Sequence, residues 1–192
     1  MEDRHLILLF VDPDCTDEDL FFMENYVPDL LIERMSVAGF DCLISVPEEY
    51  RGRLSSHDRC HVRKAQDDVT FWKGFFATND AVAIAKINAD APFLDASIVR
   101  DMMNLHLSSM AEFTFAENLP QGCTCEIVSR ELIGAIPSME TPTLPLGQVV
   151  RSNLNGFDAE IYYRDPDIRH LRMSFLNRDP RNRRVMEQIY NV

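Results

Sequence analysis

Apolar and polar positions along this chain follow two alternating rhythms. His5–Val11 is a continuous apolar run stopped by Asp12-Pro13-Asp14, the pattern of a strand buried on both faces and closed by a turn. Thr16 followed by Asp19 has the form of a capping box with the shorter acid, and opens an amphipathic stretch through Leu20, Met23 and Val27 that Pro28 interrupts. A helix is predicted over Asp29–Ala38, ending at Gly39, and a strand over Asp41–Val46, stopped by Pro47. Residues 48–65 are polar and read as an exposed loop. Asp67 or Asp68 is placed to cap a helix in which Val69, Trp72, Phe75 and Phe76 recur at spacings of three and four, so these aromatics belong to a core.

The same alternation continues. Strands are predicted at Ala81–Asn88, Phe113–Phe115, Glu126–Val128, Phe157–Tyr163 and Leu171–Leu176, and helices at Ile98–Met110 and Arg130–Ile136. Residues 137–147 carry Pro137, Pro142 and Pro145 and read as a loop. Asp165-Pro166 and Asp179-Pro180 each offer an N-cap followed by Pro at the first helical position, so each is expected to open a helix. Repeated strand–helix–strand units predict an α/β fold with a mostly parallel central sheet covered by helices on both faces. The late strands, with little helix between them, make that sheet mixed. Such sheets bind ligands at the carboxyl ends of their strands.

Composition narrows the function. At 192 residues with 46% hydrophobic content, one domain spanning 1–192 is expected. The net charge of −12 argues against nucleic acid as partner, since phosphate backbones need a basic face. The charge is uneven: residues 1–50 hold thirteen acids against Arg4 and Arg34, whereas 164–184 holds seven arginines. Either the two ends face each other or the tail binds an anion. Apolar runs stay well short of the roughly 20 residues that span a bilayer. The start has acids flanking its apolar stretch and no basic lead, so it is not expected to be a signal peptide, and a cytoplasmic location with no membrane partner is expected. Five cysteines, none in a CxxC, give no zinc pattern; Cys42 reads as a core thiol, and Cys123 and Cys125 as strand or loop thiols. Asp12, Asp14 and Asp17 start at the spacing of a calcium loop, but Asp17 and Met23 stand where that loop needs Gly and Glu.

The candidate chemistry gathers around Asp90. The run Ala81–Asn88 leads through Ala89 into Asp90, then through Pro92 to Asp95. A carboxylate at such a strand end suits Mg²⁺, which takes hard oxygen ligands and bridges phosphates; taken alone, Asp90 reads equally as a plain turn residue, and Asp95 reads as a helix cap. This run resembles the D-x-P-hydrophobic-hydrophobic-D segment of the cytidylyltransferases that activate sugars for spore-coat and lipopolysaccharide synthesis. Ala111–Phe115 and Leu119–Ser129 resemble that family's A-D-Y-T and P-x-G-x-x-x-E-hydrophobic-hydrophobic-S segments, and Leu171–Ser174 its L-R-L-T. Asp90–Asp95, Phe113–Ala116 and Asn155–Glu160 are similar to segments of a narrower group, the amino-terminal domains of spirochaete radical-SAM/SPASM (Spiro-SPASM) proteins. The likeness covers residues 80–192 well and 1–79 poorly.

The resemblance implies a three-layer GT-A-like Rossmannoid, nucleotide-diphospho-sugar transferase-like, with a nucleotide or sugar nucleotide as partner. It implies Asp90 as a Mg²⁺ ligand, Glu126 facing the sugar or base, and Arg172 on phosphate. Two departures stand against catalysis. The family's first strand leads into a glycine-rich basic loop that holds the triphosphate; here Val11–Asp19 has no glycine, no cation and five carboxylates. Each close like-charge pair there would cost about 1 kcal/mol even in a water-like dielectric. The family's second metal-binding Asp falls on Leu176, with Asn177 next and Asp158 the remaining substitute. Two readings therefore stand: a divergent nucleotidyltransferase, or a non-catalytic recognition or interaction module of that fold attached to a radical-SAM/SPASM region. The chain itself has no Cys-x3-Cys-x2-Cys cluster for an iron–sulfur centre.

Overall fold

The structure is a computed structural model and describes residues 5–50, 60–64, 67–136 and 144–191. In chain order the elements are β1 (His5–Phe10), a small hairpin of β2 (Phe21–Phe22) and β3 (Asn25–Tyr26), α1 (Val27–Val37), β4 (Asp41–Pro47), β5 (Cys60–Arg63), α2 (Val69–Thr78) and β6 (Ala83–Asn88). There follow α3 (Ala96–Ser108), β7 (Phe113–Ala116), β8 (Glu126–Ser129), α4 (Arg130–Ala135), α5 (Leu146–Ser152), β9 (Ala159–Tyr162) and α6 (Pro180–Tyr190).

Among the described residues seven strands form one sheet in the order β5-β4-β1-β6-β8-β7-β9. β8 runs antiparallel to both β6 and β7, and the other pairings are parallel. The sheet is thus mixed and mostly parallel. Successive side chains of a strand point to opposite faces, and β1 uses both. Ile7, Leu9 and Val11 pack into one core with Leu31 and Met35 of α1, Val99 and Met102 of α3, and Met186 of α6. Leu6, Leu8 and Phe10 pack into the other with Trp72 and Phe75 of α2, Leu132 of α4 and Val150 of α5. The result is a three-layer α/β/α Rossmannoid sandwich, and the continuous apolar run of β1 is the sequence trace of its central position.

Several elements differ from the periodicity. Residues 16–26 form a short 3₁₀ turn and the β2–β3 hairpin instead of a helix, with Met23 at φ 54° in the turn. The Thr16 N–H and Oγ1 still donate to Asp19 Oδ2, at 2.7 and 2.8 Å. Pro28 does not interrupt a helix; it lies in the first turn of α1, where its missing N–H costs nothing. β5 lies inside the stretch read as loop; residues 51–59 and 65–66 of that stretch, and 137–143 of the proline-rich one, lie outside the described residues. Pro145 opens α5, which the proline signal hid. Of the stretch Leu171–Leu176, Leu171 ends a 3₁₀ turn (Arg169–Leu171) and 172–176 is irregular, and Asp165-Pro166 sits in a bend that opens no α-helix. Asp179-Pro180 opens α6 as expected, with Asp179 Oδ1 accepting from Arg181 N–H at 2.9 Å.

Candidate functional site

Parallel strands β1 and β6 end side by side, and the chain leaves each through an acid: Asp12 after β1 and Asp90 after β6. Beside these ends opens a cleft of about 630 Å³ whose lining includes Asp12, Lys86, Asn88, Glu126, Arg151 and Arg178.

Its first charged group joins three distant segments. The Arg178 guanidinium donates from Nε to Asp90 Oδ2 at 3.0 Å and from Nη2 to Asp90 Oδ1 at 3.2 Å, while Nη1 meets Asp12 Oδ2 at 2.7 Å. The Arg178 N–H adds a bond to Asp90 Oδ2 at 3.3 Å. Burial pushes the Asp90 carboxyl up, against the pull of Arg178. Burial would also raise Asp12, but the hydrogen bonds from Arg178 and the Asp14 N–H and the charges of Arg178 and Lys86 leave it below its usual value. Burial alone would lower Arg178; the two acids more than reverse that and hold the guanidinium charged.

Local structure fixes where Arg178 stands. Asn177 is fully buried; its N–H donates to Asp90 O at 2.9 Å, and its side-chain amide donates to Asp19 O at 2.8 Å and Phe21 O at 2.7 Å. Arg183 Nε donates to Asn177 O at 3.1 Å, and Nη2 to Asp19 Oδ1 at 2.8 Å. Phe175 N–H donates to Gln121 O at 2.7 Å, and the chains approach so closely that a Cβ on Gly122 would lie 2.5 Å from the Phe175 carbonyl. Gly122, at φ 83°, is thus required both by its conformation and by the segment crossing it. The acidic front and the Arg-rich tail therefore face each other.

A second charged group forms the floor. Lys86 and Glu126 are cross-strand partners of β6 and β8, and Glu126 is also paired with Phe115 of β7. Lys86 Nζ donates to Glu126 Oε2 at 3.1 Å and to the buried Asp67 carboxylate, which also accepts from Trp72 Nε1 at 2.7 Å. Arg151, on α5, donates to Glu126 Oε1 at 2.6 Å and lies over the Phe115 ring at 4.6 Å. A Cβ on Gly147 would meet Glu126 Oε1 at 2.4 Å, so the small residue lets α5 come this close. Burial would raise Glu126, but Lys86 and Arg151 outweigh it and hold the carboxyl below its ordinary range. Burial would lower Lys86, and Glu126 and Asp67 reverse this and hold it charged.

Between the two groups the lining is polar and uncharged. Asn88 has no hydrogen-bonding partner for its side-chain amide among the described residues, and Gln121, Thr124 and Ser174 complete the wall. The cleft thus offers amide and hydroxyl groups to a ligand, between cations already engaged by carboxylates.

The four residues singled out from sequence do not converge. Glu126 lines the cleft. Asp90 stands at the expected strand end but is fully buried behind Arg178 and absent from the lining, so it does not open onto the cleft as a Mg²⁺ ligand. Arg172 is exposed, at φ 47°, and outside the lining; Arg178, six residues on, is the arginine that enters. Asp158 precedes β9, which runs parallel to β7 and hence to β6, so it lies at the amino-terminal end of the sheet, opposite Asp90. It cannot supply a second metal carboxylate. A divalent ion is not fitted by these residues, since both Asp90 oxygens are taken by a guanidinium, and no group of three or more His, Cys, Asp or Glu able to hold a metal occurs among the described residues. Sequence reasoning missed Lys86, Arg151 and Arg178. Lys86 carried a signal, a cation inside an otherwise apolar strand; Arg178 was marked only as one of seven arginines in the tail, and Arg151 carried none.

No protein-family profile and no curated protein matches the sequence. Solved structures do share the fold. A cytidylyltransferase from Leptospira borgpetersenii serovar Hardjo-bovis superposes with a TM-score of 0.72 at 18% identity, over 87% of this chain and 79% of that one. 4-Diphosphocytidyl-2C-methyl-D-erythritol synthase from Anaerococcus prevotii gives 0.72 at 7% identity, over 99% of each chain. Rv0371c from Mycobacterium tuberculosis, in a complex with manganese, gives 0.62 at 12% identity, over 88% of this chain and 94% of that one. The chain has a cytidylyltransferase-like fold, and no helix among the described residues is long and apolar enough to cross a membrane.

Proposed function

We propose that the cleft at the carboxyl ends of β1 and β6 binds a nucleotide or sugar nucleotide as a recognition site, and that this chain is a divergent nucleotidyltransferase-like domain without metal-dependent transfer chemistry. The observation that carries the reading is the cleft itself: it sits where α/β sheets take their ligands, and its roughly 630 Å³ matches the ~300–1,000 Å³ of small-molecule sites. The unpartnered Asn88 amide suits a base edge or a sugar hydroxyl. Glu126 oxygens keep lone pairs after bonding Lys86 and Arg151 and can accept from a ligand hydroxyl. Against transfer stand the glycine-free loop after β1 and the guanidinium locked between Asp12 and Asp90.

Calorimetry with CMP, CDP, CTP and a CDP-sugar, in EDTA and in Mg²⁺, tests this. At least one of them is expected to bind in EDTA, and Asn88→Ala is expected to weaken it roughly three- to tenfold, the effect of one lost hydrogen bond. Binding of none would end the nucleotide reading, and Mg²⁺-dependent release of pyrophosphate from CTP would make the chain an active transferase.

A second reading adds a radical-SAM/SPASM partner region to which the cleft presents its ligand. The likeness of Asp90–Asp95, Phe113–Ala116 and Asn155–Glu160 to the spirochaete group supports it. A reading frame that continues into a Cys-x3-Cys-x2-Cys segment would favour it.

A further inference from the structure

We propose that Arg178 is the resident cation of this cleft: its guanidinium occupies the point between the β1 and β6 carboxylates that a divalent ion would otherwise take, which makes ligand binding metal-independent and selects against metal-bound polyphosphates. This deepens the reading of the cleft as a nucleotide or sugar-nucleotide site and rests on it for the nature of the ligand.

Three observations carry the inference. First, the pairing is complete. Nε and Nη2 serve Asp90 and Nη1 serves Asp12, so each guanidinium nitrogen gives an N–H to a carboxylate and both acids are paired. A planar fork in such geometry gives strong, charge-assisted bonds. Second, the placement is built. Asn177 ties the tail to Asp90 O, Asp19 O and Phe21 O, Arg183 ties it to Asp19, and Gly122 admits the crossing segment. Arg178 is not a long side chain that fell across two acids by chance of rotamer. Third, the charge differs from that of a metal site. Two carboxylates with a divalent ion would be neutral and leave coordination positions for phosphate oxygens. Two carboxylates with one guanidinium carry a net negative charge and offer no metal coordination position, only the second N–H of each Nη. A triphosphate brought to this corner finds neither a vacant ligand position nor a positive field. A ligand presenting hydroxyls and a base edge to Asn88, Gln121 and Thr124 meets no such barrier.

The test uses Mn²⁺ alone as probe, read by loss of the free-ion paramagnetic resonance signal, on wild type, Arg178→Met, Arg178→Lys and Arg178→Met/Asp90→Asn. Methionine keeps the apolar stem and removes the cation, so Asp12 and Asp90 become available to an oxygen-seeking ion. The expected result is a rise in Mn²⁺ affinity of roughly tenfold or more in Arg178→Met, abolished in the double variant, as for a newly freed carboxylate pair. Arg178→Lys, a point charge unable to span both acids, is expected to gain less. A folded Arg178→Met with no gain would overturn the inference. So would Mn²⁺ uptake by the wild type that Asp90→Asn abolishes, a result that needs no variant at position 178 to fold. None of these outcomes depends on a nucleotide, so failure here is distinct from failure of the nucleotide panel: binding that requires EDTA to be absent, with Mn²⁺ inert in all variants, would sink the inference and leave the site.

Discussion

Lys86 shows how a single side chain can be both a structural liability and a site residue. It lies on a central strand, and its charge is tolerated because Asp67 and Glu126 meet it. Removing one partner of a buried ionic cluster leaves the others uncompensated, which typically costs about 3–5 kcal/mol. Lys86→Met is therefore expected to lower unfolding free energy by that order in urea titrations, and a change below about 1 kcal/mol would mean that the cluster is solvated. His106 gives a second prediction at this scale. It is buried, shares a 2.9 Å hydrogen bond between Nδ1 and Thr114 Oγ1, and burial, with the nearby His5, pulls its pKa down to about 4. Because the folded value lies below the unfolded one, the unfolded chain takes up a proton first as pH falls. Stability from this group is complete above about pH 6.5 and is lost between there and about pH 4. The loss is on the order of 3 kcal/mol. Urea unfolding at pH 7 and pH 4 should show it, and His106→Gln should flatten the slope; an equal slope in both proteins would remove His106 as its source.

At the scale of elements, the legible parts were those whose local chemistry agrees with the fold. Asp68, Asp95 and Asp179 cap α2, α3 and α6 through side-chain bonds to the first-turn amides, and each was readable as an acid before a periodic stretch. Asp179→Ala should cost about 0.5–2 kcal/mol of stability. It should also reduce nucleotide binding, since α6 carries the Arg183 that fixes Asn177; unchanged binding would separate the helix from the cleft. The illegible parts are set by contacts between distant segments. The run 171–176 has the alternation of a strand, yet it crosses Gly122 without joining the sheet: the Leu171 and Arg172 amides close a local turn, Phe175 bonds the Gln121 carbonyl of a loop, and Leu176 bonds Ser174 Oγ. The turn at Met23 turned a helical pattern into a hairpin. Gly122→Ala is expected to cost more than 1 kcal/mol, from a Cβ against the Phe175 backbone and a positive φ, and to loosen Arg178. Thermal melts and Mn²⁺ titration of this variant would check both effects together.

For the whole molecule, the strand order puts β1 and β6 at the centre and β9 at the edge. The central strands are buried on both faces, whereas every residue of β9 is half-buried. Amide exchange should therefore be slowest at Ile7–Leu9 and Ile84–Ile87 and fastest, among the strands, in β9; comparable protection across the sheet would contradict this order. The fold class was visible in the sequence because strand–helix alternation is a local property summed over the chain. The site was visible only at Glu126 and in the position of Asp90, because what neutralises an acid comes from a part of the chain with no motif to mark it.

The bond from the Asn177 side chain to Asp19 joins residues 158 positions apart. Contacts of such separation form late, since the intervening chain must first be ordered. On a ribosome, the sheet's strands all emerge before Asn177, Arg178 and α6 do, so the newborn protein passes through an interval with its strands present and the segment that pairs their terminal acids still to come. During that interval the acids at the ends of β1 and β6 face one another without their arginine.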